Sequence, residues 1–263
     1  MTPILLLGAG RMGGAMLQGW RAAGAYRASD IILCDPHPGE EAEAAAAEGA
    51  LLNPSLEALG AAQTVLLAVK PQLWRSAAAA YAPHIAPTAT VISIAAGVTA
   101  ADLAAAFARP VARVMPTTAV AIRKGVATVF AETQAARAAA HALFAPVAAV
   151  VDVADEELID VATAVSGSAP AYLYAFVEAL EAAGEKAGLP RETAQTLARA
   201  TIAGAAALME GSSDDPAELR RQVTSPGGTT AAALKILQGE GGFDPLLVAA
   251  VNAAVARARE LAR

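Results

Sequence analysis

Short apolar runs alternate with alanine-rich segments of helical spacing through residues 1–154 of this 263-residue chain. Short apolar runs bounded by glycine or polar residues are typical of strands that are buried on both faces. The pattern predicts eight strands, at residues 3–8, 31–35, 50–52, 64–69, 90–94, 111–115, 126–130 and 148–153. It predicts helices at residues 11–24, 39–48, 55–60, 72–80, 99–107 and 133–145. This repeated order indicates a parallel sheet with helices on both faces.

The pattern changes near Asp155, after which no strand is predicted. Helices are predicted at residues 155–165, 169–187, 191–210, 216–223, 229–239 and 245–262. We therefore expect an α/β domain over 1–154 and an all-helical domain over 155–263. The helical segments are rich in alanine and leucine on more than one face, so we expect them to pack against a second subunit.

A glycine-rich loop lies between the first predicted strand and the first predicted helix. The six residues of this GxGxxG loop are Gly8, Ala9, Gly10, Arg11, Met12 and Gly13. The first glycine permits a tight turn, the second lets the backbone approach a pyrophosphate, and the third lets the helix pack against the strand. The N–H groups at the helix N-terminus then face the anion. The loop predicts a Rossmann-type dinucleotide-binding domain.

Asp35 ends the second predicted strand, about twenty residues after Gly13, where an acidic residue binds the adenosine ribose in such domains. A carboxylate accepts hydrogen bonds from a ribose 2′-hydroxyl and repels a 2′-phosphate. Asp35 therefore favours NADH over NADPH, although Arg11 or His37 is placed where it could meet a phosphate instead.

Further cofactor contacts are expected where other predicted strands end, because ligands of open α/β sheets bind outside the carboxyl ends of the strands. Lys70 is either a cofactor contact or a solvated lysine, and the small residues near Gly97 either admit a flat nicotinamide ring or pack a helix. Thr117 and Thr118 are candidate donors to a carboxamide or a ribose. The remaining predicted contacts are Ser55, Ala68, Val69, Pro71, Ala95 and Pro116.

Two turns rich in small and hydroxyl residues, at 164–172 and 223–230, precede predicted helices in the second half of the chain. The turn from Ser225 to Thr230 offers N–H groups and hydroxyls at a helix N-terminus, which suits a carboxylate. The alternative is ordinary helix capping by serine and threonine.

Composition narrows the class of protein. The chain is 56% hydrophobic and 17% charged, with a net charge of −6 and no basic cluster, so nucleic acid is not an expected partner. No apolar run reaches the length of a membrane span without glycine, proline or charged interruptions. The opening residues lack the basic segment of a signal peptide, and the apolar run that follows them is predicted as a strand, so we expect a cytoplasmic protein. The single cysteine, Cys34, excludes an internal disulfide, and the three scattered histidines show no metal-ligand spacing.

The chain resembles pyrroline-5-carboxylate reductases in the glycine loop and in five further segments, in order: AVKPQ at 68–72, SIAAGV at 93–98, RVMP at 113–116, AVSGSAPAY at 164–172 and VTSPGGTT at 223–230. The resemblance implies reduction of L-1-pyrroline-5-carboxylate to L-proline with NADPH or NADH, in dimers that assemble into decamers of five dimers. It implies that Thr230 lies beside the substrate ring nitrogen as the catalytic residue. It implies that the substrate carboxylate is held by Ser225, Gly227, Gly228, Thr229 and Thr230.

The chain departs from the family pattern at three positions. The family reads RVMPNTP where this chain has Thr117 and Ala119 in place of the asparagine and the second proline. The family reads SGSGPAY where this chain has Ala169. The first change affects the predicted nicotinamide contacts, and the second costs little unless the glycine needed a positive φ.

Three alternatives remain at this point. A β-hydroxyacid dehydrogenase shares the two-domain plan, but it needs a catalytic lysine on the long helix 169–187, where Lys186 lies at the far end. Another imine reductase would use the same motifs. A non-enzymatic dinucleotide sensor would keep the glycine loop without needing the turn at 223–230.

Overall fold

The computed structural model describes residues 1–261, so residue 262 of the last predicted helix lies outside the described residues. Eight strands form one sheet in the order β3-β2-β1-β4-β5-β6-β7-β8. All eight predicted strands are confirmed. The strands are β1 (Ile4–Leu7), β2 (Ile31–Cys34), β3 (Leu51–Leu52), β4 (Thr64–Leu67), β5 (Thr90–Ser93), β6 (Val111–Pro116), β7 (Gly125–Ala131) and β8 (Ala148–Asp152).

The expectation of a wholly parallel sheet is wrong at one pair, because β7 runs antiparallel to β6. The connection at 117–124 contains only a short 3-10 helix, Thr118–Ile122. A parallel neighbour needs a crossover of a dozen or more residues, so this connection can only turn the chain back. The other pairs are parallel, including β7 with β8 across a helical connection.

Eleven α-helices are formed by the described residues, and they follow the predicted segments closely. They are α1 (Arg11–Ala23), α2 (Glu40–Ala47), α3 (Trp74–Tyr81), α4 (Ala100–Phe107), α5 (Gln134–Phe144), α6 (Leu158–Ala162), α7 (Ala169–Lys186), α8 (Arg191–Gly211), α9 (Pro216–Gln222), α10 (Thr229–Leu237) and α11 (Phe243–Leu261).

Two predicted helices differ in type or length. The segment predicted at 55–60 is a 3-10 helix, Leu56–Ala61. The helix predicted at 155–165 is reduced to α6, which continues into a π-helical turn, Thr163–Gly167. Hydroxyl groups of Thr163 and Ser166 bond back to carbonyl oxygens four residues earlier, at 2.7 and 2.8 Å. Such bonds compete with regular helical geometry and fit the change of helix type.

The sheet is covered on both faces because successive residues of its strands point to opposite layers. In β1, Ile4 and Leu6 join the layer that contains α1 and α5, and Leu5 and Leu7 join the layer that contains α3 and α4. All four are fully buried. Burying each such side chain contributes about 1.5–3 kcal/mol, so the continuous apolar runs are what place these strands in the centre.

The chain forms two compact units. The N-terminal unit comprises residues 1–167 with the described residues from Val255 on, and the helical unit comprises Ser168–Ala254. The predicted domain boundary after residue 154 stays a prediction, since α6 packs against β6 and β7 within the N-terminal unit.

The helical unit buries very little of its apolar surface within one chain. Among its described residues, Ala194 and Ala198 are the buried hydrophobic ones. Large apolar side chains are exposed along its helices, including Leu173, Tyr174, Leu197, Leu208, Ile236, Leu246 and Val248. An exposed apolar surface of this extent marks a protein–protein contact. As for membranes, none of the helices within 1–261 has the length and apolar character needed to cross a bilayer.

Candidate active site

The turn from β1 into α1 requires glycine at its first position. Gly8 has a φ of 94°, and its N–H donates to the carbonyl oxygen of Cys34 at 2.9 Å. A Cβ placed on Gly8 would lie 2.9 Å from the carbonyl group of Ala68, at the end of the β4 segment. Backbone conformation and close approach of two strand ends therefore both exclude a side chain here.

The other two glycines of the loop have different surroundings. A Cβ on Gly13 would collide with the carbonyl oxygen of Gly8, so α1 can start this close to β1 only without a side chain. A Cβ on Gly10 would meet nothing within 4 Å, so the loop is open on that side. Arg11 is exposed, Met12 is half-buried, and the first turn of α1 contains no acidic residue. This open cradle at a helix N-terminus fits the pyrophosphate of a dinucleotide.

Asp35 is fixed directly beside this loop. Its two carboxylate oxygens accept hydrogen bonds from the N–H of Ala9 at 2.6 Å and from the N–H of His37 at 2.7 Å. Its main chain is held by Asn53, whose side chain accepts from the Asp35 N–H at 3.0 Å and donates to the Asp35 carbonyl at 2.9 Å. Asn53 was missed in the sequence, where a lone asparagine after a two-residue strand carries no recognisable signal.

A cavity of about 430 Å³ opens beside the loop. It brings together six of the predicted cofactor residues, which are Gly8, Gly10, Asp35, Ala68, Val69 and Lys70. It also contains His37, which the sequence placed where it could meet a phosphate. The other lining residues were not predicted, and most of them come from β2 and α3: Cys34, Pro36, Leu73, Ser76, Ala77, Ala80 and Tyr81. Alanine and leucine in a helix look the same in sequence whether they line a ligand cavity or a core.

Two ionisable groups in this cavity have altered pKa values. Burial raises the pKa of the Cys34 thiol from 9.0 to about 11. Burial also raises the pKa of the Tyr81 phenol, with smaller contributions from the nearby charges of Cys34 and Asp35. Both groups are therefore neutral at pH 7. They add no charge to the cavity, whose charged lining residues are Asp35 and Lys70.

The remaining predicted cofactor residues lie outside the lining of this cavity. Pro71 follows β4, Ala95 and Gly97 follow β5, Pro116 is the last residue of β6, and Ser55 is exposed after β3. Gly97 has a φ of 72°, which explains a glycine in the turn after β5. Because parallel strands end at the same edge of the sheet, these residues share the edge on which the loop lies.

Thr117 has a second role that the sequence did not indicate. It is buried, its N–H donates to the Val126 carbonyl at 2.9 Å, and its Oγ1 accepts from the Val126 N–H at 3.0 Å. These bonds attach the end of β6 to β7. Thr118 is exposed. The contact of either threonine with a carboxamide stays a prediction.

In the helical unit, the five predicted substrate residues lie together at the start of α10: Ser225, Gly227 and Gly228 form the turn before it, and Thr229 and Thr230 are its first two residues. Gly227 has a φ of 70°, and the N–H of Gly228 donates to the Ser225 carbonyl at 3.0 Å. A Cβ on Gly228 would lie 2.8 Å from the Ser225 hydroxyl, so this glycine lets the turn close. Thr230 is half-buried and Thr229 is exposed.

The N-terminus of α10 is suited to an anion. The first N–H groups of a helix have no acceptor within the helix, and the first turn of α10 contains no acidic residue. Helix geometry thus leaves donors at Thr229 and Thr230 beside two hydroxyl groups. A small carboxylate fits this arrangement.

The other hydroxyl-rich turn leads into α7. Ala169, which stands where the family has glycine, is the first residue of the helix and has no positive φ. The substitution therefore costs no backbone strain. The hydroxyl of Tyr172 is buried and has no hydrogen-bond partner within the described residues.

Two family models match the two parts of the chain, one covering β1 to β5 and the other beginning just after β8. Residues 3–97 match the model described as NADP oxidoreductase coenzyme F420-dependent, and residues 156–261 match the model described as pyrroline-5-carboxylate reductase dimerisation. The fold and the coenzyme cradle define an NAD(P)-dependent oxidoreductase with a Rossmann-type domain and a helical dimerisation domain. The chain is 42% identical to pyrroline-5-carboxylate reductase of Pseudomonas aeruginosa, over 99% of this chain and 97% of that relative. It belongs to the pyrroline-5-carboxylate reductase family.

Solved structures agree with this assignment. A pyrroline-5-carboxylate reductase from Coxiella burnetii has a TM-score of 0.91 at 31% identity, covering 100% of this chain and 99% of that one. Pyrroline carboxylate reductase from Plasmodium falciparum, solved with NADP bound, has a TM-score of 0.83 at 25% identity, covering 100% and 98%. The predicted fold class and family are confirmed. The dimerisation match at 156–261 also confirms the expected association of the exposed helices, so the protein is a homo-oligomer.

Proposed function

We propose that this protein reduces L-1-pyrroline-5-carboxylate to L-proline by hydride transfer from a reduced nicotinamide coenzyme, which is the last step of proline biosynthesis. The observation that carries the proposal is the turn before α10, where a helix N-terminus without an acidic residue lies beside the Thr230 side chain. The substrate has a carboxylate next to a ring imine, and this turn offers an anion site and a hydroxyl in one helical turn.

Orientation and one polar neighbour are the main requirements of this reaction. The coenzyme supplies the hydride to C5 of the imine. Ser225 and the N–H groups of Gly227, Thr229 and Thr230 hold the substrate carboxylate, whereas the Gly228 N–H closes the turn by donating to the Ser225 carbonyl. The Thr230 hydroxyl donates a hydrogen bond to the ring nitrogen and passes to it the proton that completes the amine, and solvent water replaces that proton on the hydroxyl. No histidine or cysteine needs to act in this scheme.

Hydride transfer also requires the turn at 225–230 to face a coenzyme held by the glycine loop, whether of the same chain or of the partner. A ligand-bound structure with this turn far from both dinucleotides would contradict the proposal.

We further propose that NADH is the preferred coenzyme. The glycine loop would hold its pyrophosphate, and the Asp35 carboxylate, held in place by Ala9 and His37, would accept from the ribose hydroxyls. His37 and Lys70 line the same cavity and are the side chains there that would favour a 2′-phosphate instead. We expect the carboxylate to dominate because it is fixed beside the loop, whereas Lys70 is exposed and free to reorient.

The assembly is proposed to be a decamer of five dimers, on the family resemblance. Light scattering after size exclusion is expected to give about ten times the chain mass of 26.3 kDa. A measured mass of only two chains would limit the assembly to the dimer. Because reduced nicotinamide coenzymes are regenerated inside cells, we place the reaction in the cytoplasm.

The decisive assay follows NADH absorbance at 340 nm with a panel of substrates. The expected result is loss of absorbance with pyrroline-5-carboxylate plus NADH, little loss with other cyclic imines plus NADH, and little gain of absorbance with 3-hydroxy acids plus NAD⁺. Faster turnover of a hydroxy acid would favour the dehydrogenase, and faster turnover of a different imine would favour another imine reductase. Coenzyme binding without turnover of any panel member would favour a sensor.

A further inference from the structure

A buried ion pair lies within the N-terminal unit, between β6 and the segment that follows β8. The Arg113 guanidinium donates from Nη1 to Oε1 of Glu156 at 2.6 Å. The Arg113 side chain is 8% exposed and that of Glu156 is 27% exposed. Neither residue is needed for the proposed contacts with coenzyme or substrate, so the pair is unexplained by the function.

The same glutamate oxygen accepts a second bond, from the N–H of Ala100 at 2.6 Å. Ala100 is the first residue of α4, and its N–H is one of the donors that a helix cannot satisfy internally. Glu156 therefore meets a guanidinium and the positive end of a helix dipole together, and both interactions favour a negative charge at this position.

Ala100 ends the loop that leads from β5 to α4, residues 94–99. At its start, this loop is attached to the sheet by the Ile94 N–H, which donates to the Leu67 carbonyl at 3.1 Å. At its other end, the Thr99 hydroxyl accepts from the Asp102 N–H, and Glu156 holds the next residue. The bond to Leu67 belongs to the sheet, whereas the bond to Glu156 is a side-chain attachment from a residue 56 positions further along the chain.

The loop matters because of where a dinucleotide must lie on this sheet. Asp35, at the end of β2, marks the adenosine side of the glycine loop. The nicotinamide half then extends over the ends of β4 and β5, on the other side of the switch point between β1 and β4. Ala95 and Gly97, the predicted nicotinamide contacts, belong to the loop that Glu156 holds.

We propose that Glu156 is a positioning residue for hydride transfer. It fixes the 94–99 loop through Ala100 and is itself oriented by Arg113. The loop then holds the nicotinamide ring at a fixed distance from the substrate. The proposal rests on the proposed reductase function. It predicts that loss of the bond affects the nicotinamide half of the coenzyme and leaves the adenosine half unaffected.

The test uses Glu156→Gln and Ala100→Pro in the full-length protein. The glutamine removes the charge. The proline removes the Ala100 N–H, and its Cδ takes the space in which Glu156 Oε1 lies 2.6 Å from the Ala100 nitrogen, so it breaks the attachment from the α4 side. Proline is tolerated at this first helical position after an extended Thr99. Glu157→Gln, an exposed acid next to the pair, is the matched control.

Two quantities are measured for each variant. The first is kcat with pyrroline-5-carboxylate per folded active site. The second is the ratio of the calorimetric Kd for ADP-ribose, which lacks nicotinamide, to the Kd for NADH. We expect both substitutions to lower kcat about tenfold, the effect of misplacing a reacting group, and to reduce the Kd ratio through weaker NADH binding with unchanged ADP-ribose binding.

An unchanged kcat and Kd ratio in both variants would overturn the proposal, as would equal weakening of ADP-ribose and NADH. Ala100→Pro keeps the test valid should Glu156→Gln fold poorly. If the unsubstituted protein fails to reduce pyrroline-5-carboxylate, the proposed function is wrong, and the Kd ratio still reports on the position of the nicotinamide.

Discussion

Replacing Asp35 with asparagine tests the coenzyme assignment most directly. The substitution keeps the size of the side chain and removes its charge. In the native protein the carboxylate cannot turn away from a ligand, because Ala9 and His37 donate to its two oxygens at 2.6 and 2.7 Å. A 2′-phosphate on the ribose would therefore have to approach a fixed negative charge.

The size of the effect follows from that geometry. Two unit charges about 4 Å apart repel by about 1 kcal/mol in water and about 4 kcal/mol at an effective dielectric constant of 20. Asp35 is half-buried, so a value of about 2 kcal/mol is reasonable, equal to a preference of about 30-fold for NADH. Asparagine removes this repulsion, but one of the two N–H donors then loses its acceptor, which weakens binding of both coenzymes.

The assay compares kcat/KM for NADH and NADPH, supported by calorimetric Kd values for each coenzyme. We expect the NADH preference to fall about tenfold or more in Asp35→Asn. The control is Asp30→Asn, at the opposite end of β2, where the carboxylate accepts only a 3.4 Å bond from the Arg27 N–H. A native preference for NADPH, or an unchanged ratio in Asp35→Asn, would refute the reasoning.

Three further predictions concern the loop, the turn and the thiol. Gly13→Ala should destabilise the fold by about 1–3 kcal/mol in thermal unfolding. Gly10→Ala should unfold like the native protein but bind NADH weakly. Equal losses of Tm in the two variants would contradict this contrast. Thr230→Ala should lower kcat about tenfold or more while the exposed Thr196→Ala does not, and an unchanged kcat would remove Thr230 from the mechanism. Burial raises the pKa of Cys34 from 9.0 to about 11, so its thiol should react with iodoacetamide at pH 8 about 100-fold more slowly than a free thiol. Bound NADH should slow this labelling further. Rapid labelling of the native protein would contradict the burial of Cys34.

The strands and the glycine loop were predictable because their signals are local. Continuous apolar runs, such as Ile4–Leu7, can only be satisfied by burial on both faces, and a glycine with a φ of 94° follows directly after one of them. The antiparallel direction of β7 also has a local signal, because the connection at 117–124 is too short for a parallel crossover. The repeated order of strands and helices pointed to a parallel strand instead.

The walls of the candidate site were not predictable in the same way. Leu73, Ala77 and Tyr81 line the cavity beside the glycine loop, yet their spacing at the start of and along α3 is that of any helix packed on a sheet. Asn53 and Glu156 act through partners far away in the chain, and nothing near them in sequence announces those partners.

Sequence alone determined which segments form strands and helices, where a phosphate can approach the backbone, and which family the motifs resemble. These properties depend on residues within a few positions of one another, through side-chain periodicity and backbone freedom. Only the tertiary structure decided that Asp35 is held by Ala9 and His37 and that one carboxylate joins Arg113 to the start of α4. Hydrogen bonds of this kind depend on distances between atoms that folding alone brings together.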